Sequence, residues 1–200
     1  MQALHWLGRN AEGRAHTMRS ATAFMMLAFA RPTMVGAIWP SSRHLAHAMA
    51  RGAEGARRIV ELGAGTGAIT EALCERHPEV PTTVVELQPE LAERLRERFP
   101  GMTVLQAPAH EVLEVWPEGD EPVALVSSLP FRSLPPRWRD GTSRAIERFL
   151  RAQPDRRLIQ YTYQPRAPFD LQLGDGLVWR KRTVVWRNAP PAWVWELGAP

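Results

Sequence analysis

An acidic residue followed by three closely spaced glycines is the part of the sequence that points most directly to chemistry. Glu61 precedes Gly63, Gly65 and Gly67. Glycine adopts tight turns without a steric penalty from a Cβ atom, and it lets a ligand approach the backbone closely. The spacing is not the G-x-G-x-x-G pattern of dinucleotide-binding proteins, and a carboxylate before the turn repels phosphate. We therefore expect a zwitterionic or cationic ligand at this turn, with an ordinary glycine-rich turn as the alternative.

The pattern E-x-G-x-G-x-G is similar to motif I of the class I S-adenosylmethionine-dependent methyltransferases. This resemblance implies S-adenosylmethionine as the cofactor, and it adds Ala64 and Thr66 to the residues expected to contact it. Upstream, Ser41 or Ser42 precedes a predicted helix and is a suitable N-cap. The free amides at such a helix start can also meet the carboxylate of the cofactor, so both serines are candidates for binding it.

A second acidic residue ends the next predicted strand. The carboxylate of Glu86 can accept both hydrogen bonds from a ribose diol; the alternative is a solvated loop carboxylate. Leu87 follows it and can cover one face of an adenine ring.

The adenine contact is less defined than the ribose contact. Methyltransferases of this class often place an Asp after the third strand to accept a hydrogen bond from the adenine amino group. This chain has Pro108 and Ala109 there instead. Backbone groups at these two residues, or the side chains of His110 or Glu111, are therefore the candidates, with a solvated His110 as the plainer interpretation.

The end of the fourth predicted strand carries the candidates for the methyl acceptor. The residues are Ser127, Ser128, Leu129, Pro130 and Phe131. Methyltransferases that act on amino groups have a polar residue, an aliphatic residue, proline and an aromatic residue at this place. A side-chain oxygen and a carbonyl fixed by the proline accept hydrogen bonds from the amine and aim its lone pair at the methyl group. Ser128 occupies the polar position with Ser127 as the alternative acceptor, and an ordinary proline-terminated strand end is the plainer interpretation.

Alternating strand and helix patterns are predicted to build the scaffold for these residues. The predicted strands cover 57–60, 82–86, 102–106, 122–128, 157–163, 177–186 and 192–197. The predicted helices cover 68–77, 89–99, 109–115 and 136–152. This alternation implies a doubly wound α/β fold with a mainly parallel sheet, and the last two strands are expected to form an antiparallel hairpin at its edge. Ligands bind beyond the carboxyl ends of the strands in such sheets, where the candidate residues lie.

The net charge of +4 is distributed unevenly along the 200 residues. It is +4 for residues 1–50, −7 for residues 51–129 and +8 for residues 130–190. Cationic segments near both ends indicate an anionic partner, either nucleic acid or anionic lipid.

The composition also bears on the compartment. There is no recognisable signal peptide, and the longest apolar run, 21–30, has about half the length that spans a bilayer. The single cysteine, Cys74, excludes an internal disulfide and fits a reducing compartment; we expect it to be a small buried apolar residue. A soluble or peripheral cytoplasmic protein is therefore expected.

Six ordered blocks between residues 28 and 195 resemble the bacterial phospholipid N-methyltransferases. They are V-G-A-I-W-P-S-S-R-H-L-A, V-E-L-G-A-G-T-G-A-I-T-E-A-L, L-R-E-R-F-P-G, S-S-L-P-F, Y-T-Y-Q-P-R-A-P and V-W-R-N-A-P-P-A-W-V-W. The family usually has glycine where this chain has Ser128. The resemblance implies a class I methyltransferase (Rossmann-like) fold and stepwise methylation of phosphatidylethanolamine to phosphatidylcholine. It also implies peripheral attachment to the anionic inner face of the cell membrane.

A lipid acceptor gives roles to the aromatic residues and to the N-terminus. A quaternary ammonium product binds well against aromatic faces, so Trp39, Phe131, Tyr161 and Tyr163 are candidates for the headgroup, with Tyr163 the preferred one. The tryptophans of the last two strands, Trp186 among them, are expected to be core or edge residues.

The chain is accordingly divided into an amphipathic helical membrane-binding extension (1–35) and a methyltransferase domain (36–200). Within the extension, residues 17–31 are largely apolar with arginines at both ends; a helix packed on the domain core is the alternative. A monomer in solution is expected, and no nucleic-acid partner. No metal is expected, because the sulfonium already activates the methyl group. Alternatives are an enzyme like the rRNA adenine N6-dimethyltransferases and a non-catalytic lipid- or nucleic-acid-binding protein.

Overall fold

A computed structural model describes residues 42–117 and 119–200 of the chain. The predicted N-terminal extension (1–35), Trp39 and Ser41 lie outside the described residues.

The described residues form one seven-stranded sheet with helices on both faces. Its strands are β1 (Arg58–Leu62), β2 (Thr82–Glu86), β3 (Thr103–Gln106), β4 (Val123–Ser127), β5 (Arg157–Thr162), β6 (Val178–Val185) and β7 (Ala192–Gly198). The strand order is β3-β2-β1-β4-β5-β7-β6. Strands β1 to β5 are parallel, whereas β7 runs antiparallel to both β5 and β6. The predicted mainly parallel sheet with an antiparallel C-terminal hairpin is thereby confirmed.

The helices also match the predicted alternation. They are α1 (Arg43–Arg51), α2 (Ala68–Arg76), α3 (Pro89–Arg98), α4 (Ala109–Glu114) and α5 (Pro136–Arg151). Within the described ranges, none is long and apolar enough to cross a bilayer.

Successive residues of the central strands point into two separate cores, because side chains alternate across a sheet. Ile59 packs with Leu45 of α1 on one face, while Val60 packs with Ile146 and Leu150 of α5 on the other. Because helices cover both faces of the sheet, almost every residue of β1, β2 and β4 is buried. The rigid sheet fixes the ends of these strands relative to one another.

The end of β1 differs from the prediction. The predicted strand stopped before Glu61, but β1 continues to Leu62, and Glu61 is paired with Val84 on one side and Val126 on the other. The sheet therefore carries this carboxylate into the interior. The other predicted boundaries agree within one residue.

The expected burial of Cys74 is wrong. Helix α2 buries Ile69, Thr70, Ala72 and Leu73, and the helical period leaves Cys74 exposed.

Candidate active site

The glycines after β1 have conformations and contacts that a side chain would disturb. Gly63, Gly65 and Gly67 have φ angles of 74°, 57° and 85°. A Cβ atom on Gly63 would lie 2.7 Å from the Cδ2 atom of Leu129, and one on Gly67 would lie 2.9 Å from that of Leu95. The turn is thus tightly packed against β4 and α3 as well as strained for any other residue.

Glu61 lies behind this turn and is fully buried. The hydroxyl of Thr70 donates a hydrogen bond of 2.7 Å to its Oε2 atom, whereas Oε1 has no partner among the described residues. Burial raises the pKa of Glu61 to about 8, and the negative charge of Glu86 acts in the same direction. An unpaired carboxylate oxygen in the interior favours a cationic group of a ligand. Thr70 was not among the predicted site residues; its position in the first turn of α2, directly after the motif, was the available signal.

Glu86 is buried rather than solvated, with 1% of its surface exposed. Its Oε2 atom accepts a hydrogen bond of 2.8 Å from the Gly65 amide, and its Oε1 atom accepts one of 2.9 Å from the Gln88 amide. Burial raises the pKa of Glu86, and the hydrogen bonds from Gln88, Gly65 and Leu87 oppose this rise. Because a carboxylate oxygen can accept more than one hydrogen bond, Glu86 anchors the turn and keeps capacity for a hydroxyl ligand.

A cleft, here called the Glu86 cleft, opens beside the glycine turn. Five predicted cofactor residues line it: Gly63, Glu86, Leu87, Pro108 and Ala109. The other lining residues are Val85, Ala107, His110, Leu129, Leu134, Trp138 and Thr142. The cleft therefore joins the ends of β1, β2 and β3 with helix α5, as the predicted cofactor site requires.

His110 is half-buried and lines this cleft. Its ring centroid lies 5.9 Å from that of Trp138 in α5. No local pattern predicts Trp138 at this cleft, because its contact with the cleft depends on how α5 packs across the sheet.

A second cleft, here called the Tyr163 cleft, lies beyond the ends of β4 and β5. Six predicted acceptor-site residues line it: Ser128, Leu129, Pro130, Phe131, Tyr161 and Tyr163. The other lining residues are Arg132, Ser133, Gln160, Thr162, Gln164 and Pro168. Leu129 lines both clefts, so the Glu86 cleft and the Tyr163 cleft adjoin at the end of β4.

The two serines at the end of β4 have different environments. Ser127 is fully buried, and its hydroxyl accepts a hydrogen bond of 3.2 Å from the Leu129 amide. Ser128 is half-buried and lines the Tyr163 cleft. The geometry therefore places Ser128, rather than Ser127, in the polar position that faces this cleft.

The carbonyl of Leu129 is held by two donors. It accepts hydrogen bonds of 3.1 Å from Gln160 Nε2 and 2.9 Å from the Phe131 amide. Gln160 is buried in β5. It was not among the predicted site residues, although an amide side chain within an apolar strand was a usable signal.

The aromatic residues that line the Tyr163 cleft differ in burial. Phe131 is 2% exposed, and its ring centroid lies 4.7 Å from that of Phe169 in the core. Tyr161 and Tyr163 are half-buried and pack edge to face at 5.5 Å. Burial raises the pKa of Tyr163, whereas its neighbours Asn188 and Tyr161 lower it.

Ser42 is the N-cap of α1, as predicted. Its hydroxyl accepts a hydrogen bond of 3.2 Å from the Leu45 amide. The Ser42 amide donates one of 3.2 Å to Asn188 Oδ1. Asn188 also neighbours Tyr163. Ser42, Tyr163 and Asn188, which are far apart in the sequence, therefore meet beside the Tyr163 cleft.

Comparisons with known proteins agree with this geometry. A family model described as a methyltransferase domain matches residues 59–153. An ornithine lipid N-methyltransferase of Singulisphaera acidiphila is 30% identical over 141 residues, which cover 66% of this chain and 73% of that protein. Ribosomal RNA small subunit methyltransferase A of Burkholderia lata is 38% identical over 86 residues, covering 40% of this chain and 31% of that protein.

A solved structure shows the same fold over nearly the whole chain. The TehB-like SAM-dependent methyltransferase of Corynebacterium glutamicum is 20% identical with a TM-score of 0.52, and the match covers 93% of this chain and 99% of that one. The described residues fit S-adenosylmethionine, because Gly63 and Glu86 line one cleft with Leu87, Pro108 and Ala109. In addition, Glu61 Oε1 lacks a partner within the described part of the chain. The chain belongs to the class I S-adenosylmethionine-dependent methyltransferase family.

Proposed function

We propose that this methyltransferase is a phospholipid N-methyltransferase acting on the amine of phosphatidylethanolamine and its mono- and dimethyl derivatives, leading to phosphatidylcholine. The observation that carries the proposal is the junction of the two clefts at Leu129. One cleft has the residues expected for the cofactor, and the other has a serine hydroxyl and two tyrosine rings. The similarity to a protein named as an ornithine lipid N-methyltransferase supports a lipid amine as the acceptor.

On the cofactor side, the residues of the chain would bind S-adenosylmethionine and orient it. S-adenosylmethionine, when bound, supplies a methyl group that its sulfonium already activates. Glu61 Oε1 would pair with the ammonium of the methionine part, and Glu86 would accept hydrogen bonds from the ribose hydroxyls. Leu87, Pro108 and Ala109 would flank the adenine in the Glu86 cleft.

On the acceptor side, Ser128 would accept a hydrogen bond from the amine and direct its lone pair towards the other cleft. The tyrosine faces would stabilise the positive charge that grows with each methylation. Arg132, exposed at the rim of the Tyr163 cleft, would contact the phosphate of the headgroup. The amine must be neutral to react, and no side chain is assigned as its base.

The enzyme would be a monomer in solution and would attach peripherally to the cytoplasmic face of the cell membrane. The net charge of +8 in residues 130–190 supports an anionic surface as the partner.

A second candidate function is N6-methylation of adenine in ribosomal RNA. The match to ribosomal RNA small subunit methyltransferase A favours it. That match spans about a third of that protein's length, and the polar position here is Ser128 where enzymes acting on base amines commonly have Asn or Asp. The lipid acceptor is therefore preferred.

In the test, the purified full chain is incubated with labelled S-adenosylmethionine and with one acceptor at a time. The acceptors are phosphatidylethanolamine vesicles with anionic lipid, ornithine lipid vesicles with the same anionic lipid, and unmodified small-subunit ribosomal RNA. Label in phosphatidylethanolamine is expected. Label in ornithine lipid alone would replace phosphatidylethanolamine with ornithine lipid as the proposed substrate. Label in RNA alone would replace the proposal with the second candidate function. Label in none of the acceptors would favour a non-catalytic binding protein.

A further inference from the structure

The turn between β6 and β7 exposes a tryptophan and an arginine. Trp186 is 74% exposed. It directly follows β6, an outermost strand of the sheet, so of the two predicted interpretations, core or edge residue, the edge applies. Arg187 is also exposed, and its guanidinium has no ion pair or hydrogen bond with residues 42–117 or 119–200. Exposing a large indole forgoes the stabilisation that burying it would give. A single exposed apolar residue is ordinary on a protein surface. The location of Trp186 in the fold therefore determines whether its exposure indicates a binding surface.

This turn lies at the same end of the sheet as the two clefts. Both β5 and β6 are antiparallel to β7, so β6 ends where β5 ends. In the register, Trp193 of β7 pairs with Thr162, which directly precedes Tyr163, while Ala192 pairs with Val185, which directly precedes Trp186. The exposed indole is therefore carried on the hairpin beside the Tyr163 cleft.

The turn is also held in place. The amide of Asn188 donates a hydrogen bond of 3.3 Å to the Val185 carbonyl, and its buried side chain bonds Ser42 and Pro190. These bonds tie the turn to α1, so the exposure of Trp186 belongs to an anchored backbone rather than to a frayed chain end.

Two further exposed arginines follow strands at this end of the sheet. Arg132 comes after β4, and Arg166 comes after β5. The guanidinium of Arg132 is positioned by a hydrogen bond of 2.9 Å to the Ala167 carbonyl. The edge around the Tyr163 cleft thus combines an indole, which partitions to the boundary of a bilayer, with cations that attract anionic headgroups.

We propose that Trp186 and Arg187, with Arg132 and Arg166, dock the protein on an anionic bilayer surface and turn the Tyr163 cleft towards the lipid headgroups. The charge of the three arginines and the interfacial preference of the indole commit this surface to an anionic membrane. The orientation of the cleft towards its substrate rests on the proposed function, whereas the docking itself does not.

The test uses the full chain and vesicles of equal parts phosphatidylcholine and phosphatidylglycerol, which contain no amine acceptor. Trp186→Ser is expected to weaken cosedimentation about ten-fold, and Arg187→Ser about five-fold. Matched controls come from the opposite end of the sheet: Val178→Ala, an exposed apolar residue at the start of β6, and Arg57→Ser, an exposed arginine before β1. Both controls should bind as the unsubstituted chain does, and thermal unfolding should be unchanged in all four variants.

Vesicle binding that is equal in all variants would overturn the docking surface. If all variants bind vesicles equally and the protein methylates phosphatidylethanolamine, the proposed function is supported and the proposed docking surface is rejected. Conversely, weaker vesicle binding of Trp186→Ser in a protein that methylates no lipid would support the surface and reject the proposed function. Binding of the unsubstituted chain to ribosomal RNA but not to vesicles would overturn the choice of a membrane as the partner.

Discussion

Glu61 and Glu86 are carboxylates that the fold buries beside the same glycine turn. The amides of Gly65 and Gln88 satisfy Glu86, whereas Glu61 has one hydrogen bond, from Thr70, and one oxygen without a partner among the described residues. A buried, half-satisfied carboxylate is costly to ionise. At the residue scale, Glu61 is therefore the group most sensitive to whether a cation is present.

We expect cofactor binding to release a proton from Glu61. Burial raises its pKa from 4.5 to about 8, so near pH 6.5 the free protein holds a proton that a ligand ammonium would displace. Calorimetry of S-adenosylmethionine binding at this pH, in buffers of different ionisation enthalpy, should detect release approaching one proton. Glu61→Gln should release none from this position and should bind about ten-fold or more weakly.

The same raised pKa has a consequence for stability. Between about pH 4.5 and pH 8 the folded chain keeps a proton on Glu61 that the unfolded chain has lost. This group therefore makes the free energy of unfolding fall as the pH rises through that window, and Glu61→Gln should remove its share of the slope. If the unsubstituted chain and Glu61→Gln release the same number of protons on binding S-adenosylmethionine and bind it with equal affinity, Glu61 is not part of the cofactor site.

At the scale of elements, the ends of two adjacent parallel strands create the junction of the clefts. β1 and β4 are neighbours in the sheet, so the glycine turn after one packs under Leu129 after the other. Gln160 from β5 then bonds the Leu129 carbonyl. The position of the residue shared by both clefts thus depends on three strands.

Gly63→Ala should damage methyl transfer more than it damages folding. The new Cβ atom would lie 2.7 Å from Leu129 Cδ2 and displace the side chain that lines both clefts. Gly55→Ala is the matched control, because Gly55 has a similar φ of 78° but nothing within 4 Å of the added atom. Each substitution should cost about 1–2 kcal/mol of unfolding free energy for the backbone conformation.

Urea unfolding and methyl-transfer rates separate these two effects. Gly63→Ala should lose at least about ten-fold in rate, as misplacement of a positioning group does, while Gly55→Ala should retain its rate. Identical rates in the two variants would show that the packing of Leu129 against the turn is irrelevant to transfer.

The strand and helix assignments were predictable because they depend on local periodicity. The alternation of apolar runs and turns predicted the bounds of the seven strands and of helices α2 to α5 within one residue, except the end of β1. That exception has a physical reason. Pairing with Val84 on one side and Val126 on the other keeps Glu61 in the strand, and the sequence around a charged residue does not show which strands will pair with it. The exposure of Cys74 was missed for a similar reason, since the period of α2 alone does not say which face meets the sheet.

At the scale of the whole molecule, the positive charge is concentrated in two segments of the chain, one near each end. Residues 1–50 have a net charge of +4 and residues 130–190 have +8, against −7 for the segment between them. Such segregation favours one orientation on an anionic surface.

Removal of residues 1–30 should weaken binding to anionic vesicles. The deletion removes three arginines and much of the apolar run 17–31, and each arginine near such a surface contributes about 1 kcal/mol at physiological ionic strength. Cosedimentation with phosphatidylglycerol vesicles measures the loss. Substitution of Arg9, Arg14 and Arg19 by Ser in the full chain separates the loss of charge from the loss of apolar surface. Unaltered cosedimentation of the shortened protein, with a lower unfolding temperature, would indicate instead a helix packed on the domain.

The sequence by itself determined the fold class, the cofactor and the residues at each strand end, because these follow from contiguous motifs and short-range periodicity. Glu61 to Gly67 and Ser127 to Phe131 are such motifs. Only the tertiary structure decided which serine faces a cleft, which aromatic residues are packed away, and that Trp186 is exposed beside the Tyr163 cleft. These depend on contacts between residues far apart in the chain, such as Ser42 with Asn188, and no local pattern encodes how two distant elements pack.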